Sequence, residues 1–365
     1  MIFNITYGES VSDAPAAFKT TVAAVAQFFQ DAFTDPVTVN VTVEFLPLSG
    51  GGLGRSAYDL NPYSYSQITA ALAQDSTSGT DGVAVASLPA ADPISVTHSY
   101  YMTPAQAKAL GLADASSASD GTVTFANNQP FDFDRSDGIT AGQYDFYGTV
   151  AHEFSEVMGR ELNAIGNTAQ SGAPNGYFPF DLFKYTATGG RGSVERTFEG
   201  TTAGYFSLDG GITKGYEFNT HPDGDFGDWG QSAGNDSFLA FSGTGVINAV
   251  SPIDVQVMDV LGWNVSSVSN TGVGGTASDV GGGGDRFAHT RGDAPVPHEQ
   301  GNPRLLMSDA THLGQHETID SHINVRGGAA ELASAASWGH DGSDWHPSFD
   351  AAREPTVGLA PRLAF

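Results

Sequence analysis

The clearest regularity in the chain is a run of apolar residues at helical spacing near its start. These residues are Phe18, Val22, Val25, Phe29 and Phe33. They predict an amphipathic helix over residues 13–33, with Ser12 or Asp13 capping the first turn. Directly afterwards, VTVNVTVEFLPL at residues 37–48 alternates apolar and polar positions. That alternation predicts a half-buried strand.

Weaker patterns follow along the chain. They predict a helix over residues 66–74, a short helix from Pro104 and a strand over 122–126, with an apolar run at 83–88. A last helix is predicted over residues 251–264, because Ser251 can cap it, Pro252 suits its first position and Gly262 can end it. Helices interspersed with strands indicate an α+β fold, a small sheet backed by helices.

Composition divides the chain into two parts. Residues 166–250 are rich in Gly, Asp, Ser and aromatic side chains, which predicts short strands and long loops. After residue 264 the sequence SSVSNTGVGGTASDVGGGGD is small and flexible, and little periodicity follows it. We therefore predict a folded domain over residues 1–265, followed by a Gly/Ser-rich linker and a disordered tail over 266–365.

Charge and cysteine content narrow the possible partners. The chain has 15 Lys and Arg against 41 Asp and Glu, a formal net charge of −26, which argues against nucleic acid and anionic membranes as partners. There is no cysteine, so a metal would need imidazole and oxygen ligands. The start of the chain resembles no secretory signal peptide, and no apolar run is long enough to span a membrane.

The stretch AHEFSEVMGR, residues 151–160, carries the candidate chemistry. On a helical wheel its apolar residues gather on one arc, and His152 and Glu156 lie one turn apart on the other side. An imidazole and a carboxylate at this spacing can bind one metal ion. Glu153 lies beside them, where it could take a proton from an attacking water. The alternative is a solvated helix face, because any surface helix places polar residues opposite its apolar arc.

The sequence leaves the third metal ligand open. Seven of the ten histidines lie in residues 266–365, so the predicted domain offers only His98, His152 and His221. If zinc is present, carboxylates are therefore expected to complete its shell. Asp181, in FPFDLFKY, is flanked by Phe180 and Leu182. It is either turned outward on a strand or buried with a partner, and a metal would be such a partner.

Two Asp-rich loops suggest calcium sites. One is FDFDRSDG, with Asp132, Asp134 and Asp137, and the other is HPDGDFGDWG, with Asp223, Asp225 and Asp228. Clustered carboxylates in Gly-containing loops suit Ca²⁺, although neither loop matches an EF-hand. The alternative is that both loops are acidic turns.

Several motifs in a fixed order resemble a known family. HE-x-x-E-x-x-GR is preceded by GQYDF and followed by DLFKY, YFSLDGG, FGDWG and MDVLGWN. Together, over about residues 1–265, they resemble bacterial zincin-like, metzincin-related metalloproteases with the signature HE-x-x-[HE]-x-x-GR. This resemblance implies a zincin-like α+β domain holding one zinc ion, with His152 and Glu156 as ligands, Glu153 as the catalytic base and Asp181 as a further ligand. The chain departs from the metzincin pattern at Leu162, where a metzincin supplies its third ligand.

Two functional hypotheses follow. The first is a secreted zinc-dependent metallopeptidase that hydrolyses proteins or peptides by metal-activated water and is exported without an N-terminal signal peptide. The second is a noncatalytic extracellular binding or adhesion module, with a degenerate zincin fold stabilised by Ca²⁺ at the Asp-rich loops.

Overall fold

The computed structural model describes residues 1–94, 98–114, 119–162, 176–188, 193–198, 200–266, 317–318 and 322–325. Contacts between Cα atoms divide the chain into two units, residues 1–326 and 327–365, and all described residues belong to the first. Most of the predicted tail, residues 266–365, lies outside the described residues. The predicted domain boundary at residue 265 stays a prediction.

The first part of the chain supplies most of the sheet and four helices. In chain order these elements are β1 (Ile2–Tyr7), α1 (Ala16–Ala32), β2 (Thr38–Leu46), β3 (Gly54–Tyr63), α2 (Tyr65–Asp75), α3 (Gly79–Ser87), β4 (Ser99–Met102), α4 (Pro104–Ala109) and β5 (Gly121–Ala126).

The remaining elements are shorter, apart from two helices. They are β6 (Phe131–Asp132), β7 (Tyr144–Asp145), α5 (Phe146–Val157), β8 (Gly176–Tyr177), β9 (Lys184–Thr188), β10 (Ser193–Arg196), β11 (Tyr205–Phe206), β12 (Phe241–Ser242), α6 (Pro252–Val260), β13 (Glu317–Thr318) and β14 (His322–Val325).

A mixed sheet is the largest element of the fold. Its strands follow the order β1-β2-β5-β3-β4-β8, and β14 pairs with β3 as a seventh strand. The strands β1, β2 and β5 are parallel, whereas β3 runs antiparallel to β5 and β4 runs antiparallel to β3. The sheet direction therefore reverses at β3.

Helices α1 and α5 pack on each other and on this sheet, α1 against β1 and α5 against β3 and β5. Aromatic side chains fill the space between these layers. The ring of Phe18 on α1 lies 4.9 Å from those of Phe45 on β2 and Phe146 on α5. This core fixes the position of α5, the helix that carries His152.

The observed elements agree in part with the predictions. Helices, strands and sheet together form an α+β fold, as predicted. The apolar run at residues 83–88 lies largely in α3, and the helix predicted from Pro104 is present as α4. Ser251 caps α6, and Pro252 occupies its first turn, as expected. None of the helices in the described part of the chain combines the length and hydropathy needed to cross a bilayer.

The predicted cap of α1 is wrong. Ser12 and Asp13 lie in a separate 3₁₀ turn, and α1 begins after Pro15, whose side chain provides no cap hydrogen bond. Proline supplies the φ angle of a helix start without needing a hydrogen-bond partner for its nitrogen. The strands β1 and β3 were not predicted.

Candidate metal centre

Helix α5 ends in a turn that depends on glycine. The amide of Gly159 donates to the carbonyl of Glu156 at 2.8 Å, and that of Arg160 donates to the carbonyl of Ser155 at 3.0 Å. This pair of bonds is a Schellman motif, and Gly159 has the positive φ of 105° that such a turn requires. The turn brings the Arg160 side chain back over the last residues of the helix. The Gly-Arg pair of AHEFSEVMGR thus has a structural role.

His152 is fully buried, and its two ring nitrogens have different surroundings. Nδ1 lies 2.9 Å from the carbonyl oxygen of Ser237. A carbonyl can only accept a hydrogen bond, so Nδ1 must carry a proton. Nε2 lies 3.1 Å from Oε1 of Glu156 and 3.3 Å from Oδ1 of Asp228. The second nitrogen is therefore directed at two carboxylate oxygens.

Nε2 of His152, Oε1 of Glu156 and Oδ1 of Asp228 need a positive charge between them to lie this close together. If Nε2 had no proton, its lone pair would face two carboxylate oxygens, which is repulsive. A proton on Nε2, a proton on one of the carboxyl groups or a metal ion removes that repulsion. The observed separations suit a metal: bonds of about 2.0–2.1 Å to zinc in a tetrahedron place ligand atoms about 3.3–3.4 Å apart. Chemically, one imidazole and two carboxylates form a donor set that binds zinc.

Arg160 holds the two carboxylates in place. One guanidinium nitrogen donates to Oδ1 of Asp228 at 2.5 Å, and the other lies 3.4 Å from Oε1 of Glu156. Its Nε donates to Oγ of Ser155 at 2.8 Å, and the ring of Phe238 lies 4.5 Å from the guanidinium carbon. Burial alone would lower the pKa of Arg160, but the charges of Asp228 and Glu156 outweigh it and raise that pKa. Arg160 thus stays cationic.

Strand β3 contributes polar contacts from the other side of the cluster. Oγ of Ser56 donates to Oε2 of Glu156 at 2.6 Å, and the hydroxyl of Tyr58 donates to Glu161. Burial opposes ionisation of Glu156, but the hydrogen bond and charge of His152, together with Arg160, lower its pKa overall. Glu156 is therefore the ionised member of the cluster.

Glu153 is fully buried beside these residues, and neither of its carboxyl oxygens has a hydrogen-bond partner. Its pKa is raised well above the usual value, first by burial and then by the charges of Glu156, Asp225 and Asp228. An unsatisfied buried carboxyl group is costly and needs an explanation in the site's chemistry. Glu153 is thus available for proton transfer.

The cluster contains more acid than its single arginine can neutralise. Its carboxyl groups belong to Glu153, Glu156, Glu161, Asp225 and Asp228. Isolated buried carboxylates are strongly destabilising, so the excess must be removed by protons or by a bound cation. Burial raises the pKa of Glu161, as it does that of Glu153, so these two groups favour protons. Burial raises the pKa of Asp228 as well, whereas that of Glu156 is lowered, so a divalent cation bound here would displace protons from its ligands.

The structure brings together three of the four predicted site residues. Ligand atoms of His152, Glu153 and Glu156 lie within 4.8 Å of one another, and Glu156 forms a second such group with Asp225 and Asp228. Asp181, the fourth, is in neither group.

Asp181 has a local structural role. It is fully buried in the 3₁₀ turn Pro179–Phe183, and its Oδ2 accepts the backbone N–H of Phe178 at 2.7 Å. It is therefore not turned outward on a strand.

The two Asp-rich loops have different roles. In the first, Asp132 and Asp134 accept hydrogen bonds from backbone N–H groups of their own loop, as acidic turns do. In the second, Asp223 is exposed near His221, whereas Asp225 and Asp228 are buried in the acidic cluster around Glu156. The motif FGDWG was the available signal for Asp228, which the sequence places in a loop interpreted either as a calcium site or as an acidic turn.

No protein-family model, curated protein or solved structure matches the chain significantly. The family resemblance therefore stays a prediction, and the functional argument depends on the geometry of the site.

Proposed function

We propose that this chain is a zincin-like, zinc-dependent metallopeptidase with protein or peptide substrates. His152, Glu156 and Asp228 hold one zinc ion, and Glu153 is the catalytic base. The observation that carries the proposal is the approach of Glu156 Oε1 and Asp228 Oδ1 to within 3.1 and 3.3 Å of Nε2 of His152. Asp228 replaces Asp181 as the proposed third ligand.

The surrounding residues orient these ligands. The Ser237 carbonyl fixes the His152 tautomer, and Ser56 and Arg160 hold Glu156. Partners of this kind are typical of metal sites, where they tune ligand basicity and orientation. A zinc ion bound here would polarise a substrate carbonyl and make a bound water acidic.

Glu153 supplies proton transfer in this proposal. Its carboxyl group is adjacent to the ligands and its oxygens have no hydrogen-bond partner, so they can bond to a reacting group once the site opens. Burial and, after it, repulsion from neighbouring carboxylates raise the pKa of Glu153, and a cation held by Glu156 and Asp228 would counter the second of these effects. Glu153 would then accept a proton from water and return it to the leaving amine.

Substrate access requires movement. His152 and Glu153 have no exposed surface in the structure, since β3 covers them on one side and Asp228, Ser237 and Phe238 on another. Peptide hydrolysis therefore requires one of these covering segments to separate from α5.

The same enclosure favours a second candidate function. The group formed by Glu156, Asp225 and Asp228 offers only oxygen ligands, which Ca²⁺ prefers. A calcium ion enclosed there would stabilise a noncatalytic extracellular binding module. Such a protein would melt at higher temperature with calcium and cleave no substrate.

Hydrolysis by matched variants distinguishes the two candidates. The full chain, Glu153→Gln and the exposed-site control Glu195→Gln are assayed on fluorescently labelled casein with added zinc. The peptidase proposal expects the control to retain activity and Glu153→Gln to lose it while keeping its zinc. Retained hydrolysis in Glu153→Gln would overturn the assigned base, and no hydrolysis by any protein would favour the binding module.

We also propose an extracellular location, supported by the acidic composition and the absence of cysteine. Neither nucleic acid nor an anionic membrane is a proposed partner, because a formal net charge of −26 repels both. Fractionation of producing cells tests the location, and recovery of the protein only inside cells would contradict it.

A further inference from the structure

Strand β3 is paired along both of its edges. Ala57 is opposite Thr122 of β5 and also opposite His322 of β14. Because a strand has two edges, β14 must lie along the edge of β3 that faces away from β5. The parallel pairing places His322, Ile323, Asn324 and Val325 opposite residues 57 to 60 of β3.

The same strand forms one wall of the metal centre. Its inward residues Gly54, Ser56 and Tyr58 meet Glu153, Glu156 and Glu161. At about 3.3 Å per residue, the β14 pairing begins roughly 10 Å along β3 from Gly54. A peptide chain added to this edge and extending from residue 57 towards Gly54 would therefore approach the proposed catalytic group.

We propose that β14 is an intramolecular competitor, which occupies the outer edge of β3 and must leave before an extended peptide can add there. The inference rests on the proposed function, since it identifies the edge as part of the peptidase site. Pairing to a sheet edge uses main-chain hydrogen bonds, so a segment of this chain and an unrelated extended peptide compete for the same groups. Attachment to the same chain gives β14 the advantage of a high effective concentration.

Proline substitutions in the full chain test this docking. Successive residues of a strand direct their N–H groups to opposite edges, so either Ile323→Pro or Asn324→Pro must remove a hydrogen bond to β3. The control is Ala336→Pro, which lies in the separate unit of residues 327–365. Hydrogen exchange of the amides of residues 57–60, followed by mass spectrometry, reports on docking independently of catalysis.

Binding of a fluorescent synthetic peptide, DSHINVRG, reports on the vacated edge. We expect faster exchange at residues 57–60 in at least one of the two β14 variants, and peptide binding at least about tenfold tighter than in the wild type or control. We also expect faster casein hydrolysis by the same variant. Unchanged exchange and unchanged peptide binding in both variants would overturn the inference.

The two proposals fail in different ways. Faster exchange and tighter peptide binding, without hydrolysis by any protein, would support docking of β14 and overturn the peptidase function. Hydrolysis at equal rates by all proteins, with unchanged hydrogen exchange, would support the peptidase function and overturn the proposal that β14 is a competitor.

Discussion

Gly54 on β3 and Glu153 on α5 are in direct contact, and only glycine at position 54 leaves room for the carboxyl group. A Cβ atom added to Gly54 would lie far inside van der Waals distance of Oε1 of Glu153. Real Cβ contacts are essentially never so short, so any other residue at position 54 must displace Glu153. A glycine in this strand thus preserves the position of the proposed base.

Gly54→Ala is expected to keep zinc and lose hydrolysis. The added methyl moves Glu153, whereas the ligand atoms of His152, Glu156 and Asp228 are elsewhere. A displacement of about 1 Å can lower the rate about 100-fold. Casein hydrolysis and zinc content are measured together, with Gly79→Ala as the control, since a Cβ on Gly79 meets nothing within 4 Å. Undiminished activity in Gly54→Ala would show that Glu153 is not positioned by this contact.

Asp228→Asn is expected to release zinc, whereas Asp181→Asn is expected to retain it. The first substitution removes a charged oxygen 3.3 Å from Nε2 of His152. The second leaves an amide oxygen able to accept the hydrogen bond from Phe178. Zinc content after dialysis decides between the two acids, and loss of zinc from Asp181→Asn alone would restore Asp181 as the ligand.

Arg160→Met is expected to make folding depend on metal. Without the guanidinium, Glu156 and Asp228 lose their buried cation, and breaking such a pair costs about 3–5 kcal/mol. Zinc binding would offset part of this loss, by about 2.7 kcal/mol at a zinc concentration 100 times the Kd. Thermal unfolding with zinc and with chelator measures the difference. An equal shift in Tm for wild type and variant would show that the two cations act independently.

Because the pKa of Asp259 is raised, we expect the free energy of unfolding to fall as the pH rises towards 8. Burial, followed by the charge of Asp81, raises its pKa to about 7. Since an unfolded Asp titrates near pH 3.9, the folded state binds more protons between these values. This contribution is fully present below about pH 4 and is lost as the pH rises through 7.

Asp259→Asn should therefore raise the Tm at pH 8 more than at pH 5. The exposed-site control Asp13→Asn should change the Tm little at either pH. Unfolding curves from pH 5 to 8 provide the measurement. An equal effect of Asp259→Asn at both pH values would contradict a raised pKa.

Apolar patterns in the sequence predict the helices and strands that pack against the hydrophobic core. They do not predict a strand whose buried residues face the candidate metal centre. Helix α5 and strand β2 were predicted because each has a continuous apolar side. Strand β3 was missed because its buried residues begin with Gly54 and Ser56, which are small or polar. Gly54 and Ser56 are small or polar because they face carboxyl groups of α5 rather than a hydrophobic core.

The candidate metal centre could be predicted only in part, for a similar reason. His152, Glu153 and Glu156 share one helix, so their proximity follows from helical geometry. Asp228 reaches them from a loop far along the chain, and no local periodicity connects it to α5. Asp181 was favoured because of its apolar neighbours, but its burial serves a 3₁₀ turn.

Elemental analysis of the purified full chain, dialysed without chelator, tests the central claim most directly. We predict about one equivalent of zinc, which is lost in His152→Ala, Glu156→Ala and Asp228→Ala and kept in Glu195→Gln. Absence of a transition metal in the wild type, particularly with calcium bound instead, would contradict the zinc centre and the peptidase function that depends on it.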